Sequence, residues 1–171
     1  MTSPDILFDT LMDSMTDLSS QIAATGNRLT KDQYGLALAR AVSLRADCTR
    51  RRVGAVIVDS HNRIVGTGYN GAPPGKPGCL SDGACPRGTK SYAEIAPNSA
   101  YVGVDLPCIA LHAEENVILH SDRSDREGST IFITDKPCPN CHRVLGGSGL
   151  SRVVFLTPGN GVGSYVIGET I

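Results

Sequence analysis

Two short segments constrain this chain more than anything else in it: His112-Ala113-Glu114 and, further on, Pro137-Cys138-Pro139-Asn140-Cys141. Cysteines three apart at a helix start put both thiolates on one side of one turn, where the helix dipole and free N–H groups favour the anion. One imidazole completes three protein ligands. The fourth tetrahedral position is left for water, which separates a catalytic zinc from a structural one. Zinc in such a site lowers the pKa of bound water from about 15.7 to about 7. A carboxylate two residues after the histidine, not itself a ligand, is placed to carry protons. The expected metal ligands are therefore His112, Cys138 and Cys141, and the expected proton carrier is Glu114. A lone Cys-x-x-Cys also suits a redox pair or half of a structural zinc site, but both readings leave His112 and Glu114 without a role.

The rest of the chain narrows the setting. Its 171 residues suffice for one main domain whose core is stable without disulfides. A net charge of −1 excludes a broad field for capturing polyanions, so no nucleic-acid partner is expected. The one basic run, Arg50-Arg51-Arg52, suits one small phosphate, or simply a solvated loop. Asp5, Asp9, Asp13 and Asp17 stand where a signal peptide would need positive charge, and no apolar run is long enough to span a membrane. The expected compartment is the cytoplasm. Six cysteines kept reduced there point to metal ligation rather than disulfides.

Periodicity supplies the elements. Ile6, Leu7, Leu11, Met15, Leu18 and Ile22 form one stripe of an amphipathic helix over residues 5–24, ended by Gly26-Asn27. Acidic residues fill its polar face, so it reads as a docking or oligomer element, not a membrane anchor. Thr30 with Gln33 reads as a capping box opening a second helix through about Asp47, its apolar face including Tyr34, Leu38, Ala41 and Leu44. Residues 53–58 and 63–68 read as a β-hairpin across Asp59-Ser60-His61-Asn62. The glycines and prolines then cluster into a long, shaped loop, and residues 89–107 carry little signal. A short buried helix over 111–120, a strand over 130–134, a helix over 137–146 and a strand over 152–156 follow. The strand–helix–strand order implies a parallel, right-handed crossover. The fold class is α/β, a mixed central sheet carrying helices.

With these residues in view, the chain resembles the cytidine and deoxycytidylate zinc deaminase superfamily, whose signature is His-x-Glu with Pro-Cys-x-x-Cys. Within it the chain is similar to deoxycytidylate (dCMP) deaminases. The matching stretches are residues 53–58, Gly68-Tyr69-Asn70-Gly71-Ala72-Pro73-Pro74-Gly75, His112-Ala113-Glu114-Glu115-Asn116 and residues 137–141, spanning about 35 to 156. The resemblance implies a three-layer cytidine-deaminase-like fold with helices on both faces of the sheet. It divides the chain into an N-terminal helical extension, 1–28, and a zinc-dependent deaminase domain, 29–171. The implied activity is hydrolysis of dCMP to dUMP and ammonia. The alternatives are another base or nucleoside (cytidine, guanine, or adenosine in tRNA), and an inactive nucleotide-binding regulator, which the presence of Glu114 disfavours.

Further roles rest on the resemblance alone. Asn70 would bind the substrate sugar, with Ala113 also in contact, and Arg51 or Arg52 would take the 5′-phosphate. Cys48, Cys79, Cys85 and Cys108 would hold a second, structural zinc in a four-cysteine site, against the bland reading of four buried free thiols. Gly78 stands where some relatives place a histidine ligand, and His120 where some place an aromatic beside the pyrimidine. His61 and His142 read as surface residues. The family also implies a homo-oligomer, hexamer or dimer, with dCTP and dTTP as effectors.

Overall fold

The structure, a computed structural model, describes residues 3–96, 99–101 and 104–169. Parts of the expected extension (1–2), of the low-signal segment (97–98 and 102–103) and of the tail (170–171) lie outside the described residues. The chain divides into two compact units, Met1–Lys31 and Asp32–Ile171. No helix among the described residues is long and apolar enough to cross a membrane.

The first unit is the helix α1 (Pro4–Thr25). Ser3 caps it, its Oγ accepting from the Asp5 N–H at 3.2 Å, and Pro4 occupies the first turn, where its missing N–H costs nothing. Gly26 closes it in the left-handed conformation (φ 67°). No residue of α1 is buried, and Ile6, Leu7, Phe8, Met12, Met15 and Leu18 are all exposed.

The second unit is built on a five-stranded sheet. Its strands are β1 (Gly54–Val58), β2 (Ile64–Tyr69), β3 (Thr130–Ile133), β4 (Arg152–Thr157) and β5 (Gly161–Val166), in the order β2-β1-β3-β4-β5. The pairings are antiparallel except for β3 with β4, which run parallel. The helix α5 (Pro139–Gly146) makes that parallel connection, as the strand–helix–strand order requires. The other helices are α2 (Lys31–Ser43), α3 (Ala113–Leu119) and the short α4 (Arg123–Arg126).

Alternation along β1 creates two cores. Ala55 and Ile57 face α3 and α5, packing on Ala113, Val117, Ile131, Ile133, Leu145 and Val153. Val56 and Val58 face the other way, onto Leu36 and Ala39 of α2 with Phe132 and Val154. The sheet thus has helices on both faces, the three-layer arrangement expected.

Two expectations are corrected, and one unassigned segment gains a place. The buried face of α2 is Gly35, Leu36, Ala39 and Ser43, while Tyr34, Ala41 and Leu44 are exposed and Leu38 is only half-buried. Small residues set that face: a Cβ on Gly35 would lie 2.5 Å from the Phe132 ring. The helix also ends at Ser43, short of Asp47. The tail beyond residue 157, which the sequence left unassigned, supplies the edge strand β5.

Candidate metal centre

Local structure brings the two key segments together. In α5, Cys138 is the N-cap, Pro139 follows it, and Cys141 lies in the first turn. In α3, His112 is the N-cap, with its backbone N–H donating to Glu115 Oε2 at 2.9 Å. Two features seat α3 against β2. The Asn116 side chain donates to the Tyr69 carbonyl at 2.8 Å. Gly68 has no side chain to block the approach, since a Cβ there would sit 2.5 Å from the Ala113 carbonyl and the Val117 nitrogen.

The two helix starts meet. His112 Nδ1 lies 3.6 Å from Cys138 Sγ and 3.3 Å from Cys141 Sγ. All three ligand atoms fall within 4.8 Å of one another, the one such group of three donors among the described residues. A tetrahedral zinc with Zn–S near 2.3 Å and Zn–N near 2.05 Å separates its N and S donors by about 3.6 Å, so this set fits that ion. Three protein donors converge among the described residues, the number that in a catalytic zinc site goes with a coordination position for a small molecule.

The electrostatics suit a cation. Cys138 is held down to about 3, first by its hydrogen bond with Cys141 and then, against burial, by His112. Cys141 is pushed up by the same bond and by burial. His112 is raised to about 10, first by a hydrogen bond to Cys108 and then by Cys138. Glu114 and Arg87 are the two buried charged side chains among the described residues, each 4% exposed. Burial pushes the Glu114 carboxyl up to about 7.

A pocket of about 820 Å³, counting the solvent at its mouth, opens on this centre. His112, Glu114, Cys138, Ala113, Asn70 and Arg51 line it. The Asn70 amide donates to the Arg51 carbonyl and accepts from the Val53 N–H, both at 2.8 Å. Arg51 is ion-paired with Asp135. Arg52 is absent from the lining and donates to the Leu44 carbonyl at 2.7 Å. Arg50 does line the pocket, but its guanidinium donates to the carbonyls of Lys90 and Ile95 and lies 4.3 Å above the Tyr92 ring.

Several lining residues escaped the sequence reading. Asp135 and Lys136 directly precede Pro137, a position that could have flagged them. Arg87, Tyr92 and Tyr101 lie in stretches without periodicity and gave no such signal. His120 is exposed at the end of α3, outside the lining. His142 is half-buried and shares a 2.8 Å hydrogen bond with Tyr165, which corrects its reading as a surface residue.

The four remaining cysteines are free thiols. Cys48, Cys85 and Cys108 surround Cys79, which hydrogen-bonds Cys85 and is pushed up to about 12, first by burial. They do not close to the ligand spacing of the His112 group.

The three-layer fold, the open His-Cys-Cys donor set and a buried carboxylate beside it define a zinc-dependent hydrolytic deaminase. Comparison with known proteins agrees. The family model described as the cytidine and deoxycytidylate deaminase zinc-binding region matches residues 29–157. A deoxycytidylate deaminase of Mycobacterium phage D29 is 42% identical over 72% of this chain and 92% of its own length. That of Schizosaccharomyces pombe is 35% identical over 75% of this chain, which spans only 38% of the yeast protein. The crystal structure of dCMP deaminase from the cyanophage S-TIM5, in complex with dCMP and dUMP, aligns with TM-score 0.50 and 25% identity. That alignment covers 70% of this chain and 76% of the other. This chain belongs to the cytidine and deoxycytidylate deaminase family.

Proposed function

We propose that the chain hydrolyses dCMP to dUMP and ammonia, with zinc held by His112, Cys138 and Cys141 and protons carried by Glu114. One observation carries this reading: a buried carboxyl beside the donor set, at the base of a pocket whose wall includes Arg51 and Lys136. The phage relative named deoxycytidylate deaminase supports the choice of nucleotide.

Zinc in this site would supply a Lewis acid that makes water nucleophilic at neutral pH. The residues of the chain do the rest. Glu114, buried beside the donor set, accepts a proton from the attacking water and delivers protons to the ring nitrogen and the departing amine. Asn70 has one amide N–H beyond the one given to Arg51, and offers it to the sugar. Ala113, fully buried on the pocket wall, packs against the base. Arg51 takes the 5′-phosphate, Asp135 orienting its guanidinium beforehand. Arg52, outside the pocket lining and bonded to the Leu44 carbonyl, plays the supporting part.

The test is ammonia release from dCMP, CMP, deoxycytidine, cytosine, guanine and tRNA. Fastest turnover of dCMP is expected, and preference for an unphosphorylated substrate would defeat the proposal.

Three further parts of this reading stand apart. A second zinc on Cys48, Cys79, Cys85 and Cys108 is supported by their crowding around Cys79, and elemental analysis near two zinc per chain is expected. The exposed apolar side chains of α1 support a homo-oligomer, which truncation of residues 1–28 should weaken in sedimentation. Control by dCTP and dTTP rests on the family resemblance, and a rate unmoved by either nucleotide removes it.

A further inference from the structure

We infer that Arg87 and Tyr101 are positioning residues for the imidazole of His112, Arg87 holding the Tyr101 ring against it. The inference rests on His112 being a metal ligand, as proposed above.

A buried guanidinium is costly to desolvate and is retained where its partners satisfy it. Arg87 is 4% exposed, and among the described residues no carboxylate pairs with it. Among the described residues its side-chain hydrogen bonds go to one short stretch. It donates to the Ala100 carbonyl at 2.8 Å, and to the Ser99 carbonyl and Oγ at 3.3 and 2.5 Å. The next residue along is Tyr101, and the Arg87 guanidinium lies 5.0 Å from the centre of its ring, within cation–π range. The Tyr101 ring in turn stands nearly perpendicular to the His112 imidazole, at 88° with centroids 4.6 Å apart. That is the favourable edge-to-face arrangement of two aromatic rings.

The chain of contacts therefore runs from a buried cation, through an aromatic ring, to the ring that carries Nδ1. An imidazole free to rotate would point Nδ1 away from Cys138 and Cys141 for part of the time. Tyr101 blocks that rotation, and Arg87 keeps Tyr101 in place. Groups that orient a metal-binding histidine typically cost 10–100-fold in metal affinity when removed.

The test uses Co²⁺ titrated into the metal-free full-length protein, read by visible ligand-field bands and by competition with a chelator. Bands that His112→Ala removes are assigned to this site, any that persist belong to the Cys48, Cys79, Cys85 and Cys108 group, and a spectrum and stoichiometry unchanged by His112→Ala would defeat the ligand reading itself. Tyr101→Leu is expected to weaken binding about 10–100-fold and to shift the bands. Tyr101→Phe keeps the ring and should restore wild-type affinity and bands. Arg87→Met should follow Tyr101→Leu in direction, and thermal denaturation shows whether each variant is folded. If Tyr101→Leu and Arg87→Met, folded, bind Co²⁺ with unchanged affinity and bands while His112→Ala does not, the positioning role is overturned and the ligand reading stands.

Discussion

Asn70 and Val53 are bonded to each other twice: the Asn70 N–H donates to the Val53 carbonyl at 3.2 Å, and the Val53 N–H donates to Asn70 Oδ1 at 2.8 Å. With the bond from Asn70 Nδ2 to the Arg51 carbonyl, one buried side chain fixes the backbone of residues 51–53 along the pocket. Asn70→Ala would strand a donor and an acceptor there, at about 1–3 kcal/mol for each unsatisfied group. Urea denaturation should show a loss of about 2–4 kcal/mol. Asn70→Asp still accepts from Val53 but sets a buried carboxylate oxygen against the Arg51 carbonyl, so it should not recover the loss. A cost below about 0.5 kcal/mol for the alanine variant would mean water replaces the amide.

That bond shows where the sequence was readable and where it was not. Asn70 stood out only by resemblance, because Asn-Gly after a strand is also an ordinary turn. Strands β1 to β4 were legible because short runs rich in β-branched residues, bounded by turn residues, have few other uses. Strand β5, Gly-Val-Gly-Ser-Tyr-Val, has glycines at two of its six positions, and its strand character comes from pairing with β4. A Cβ on Gly163 would meet the Phe155 ring at 2.6 Å, a contact that no local pattern encodes. The donor set was legible because spacing along two helix starts is a local property. The wall carrying Arg87, Tyr92 and Tyr101 was not, since bonds from Arg50 to residues distant in sequence hold it.

Asp32 and Arg152 make a paired set of hydrogen bonds at 2.7 and 2.8 Å that ties α2 to β4. The bond from Arg152 lowers the Asp32 pKa below its ordinary value of 3.8, with burial opposing. A lowered carboxylate pKa adds stability above the unfolded value and loses it as pH falls through the lower folded value. The stability gap between wild type and Asp32→Asn should be largest at pH 5–7 and close below about pH 3.8. Both side chains are about a third exposed, so the gap should be only about 1 kcal/mol and should shrink in salt. A gap that widens on acidification would contradict this assignment.

Gly68 lets α3 approach β2, so Gly68→Ala should disturb the centre without touching any donor. The added methyl would meet the Ala113 carbonyl and the Val117 nitrogen, both backbone atoms that cannot swing aside. Overpacking of this kind costs about 1–3 kcal/mol. Because α3 carries Glu114 and follows His112, zinc affinity and kcat should fall together. Gly146→Ala at the end of α5 is the control: nothing lies within 4 Å, and stability should hold or rise by about 0.5–1 kcal/mol.

Glu114 offers the sharpest test of the chemistry. Glu114→Gln keeps the shape and removes the titrating proton, so zinc content should be unchanged while kcat drops by about 10²–10⁴. Turnover near the wild-type rate would remove Glu114 from the mechanism. The same variant isolates the electrostatic cost of the buried carboxyl in metal-free protein. Its folded pKa, raised to about 7 by burial against an ordinary 4.5, means the folded state holds the proton longer than the unfolded state. Stability from that proton is complete below about pH 4.5 and is lost as pH rises to about 7. Metal-free wild type should therefore fall behind metal-free Glu114→Gln by on the order of 3 kcal/mol across that window. Zinc bound nearby favours the carboxylate, so the fall should flatten in the loaded enzyme. Parallel stability curves for the two metal-free proteins would show that the carboxyl is solvated, and with it that a neutral-pH proton carrier has been misplaced at this position.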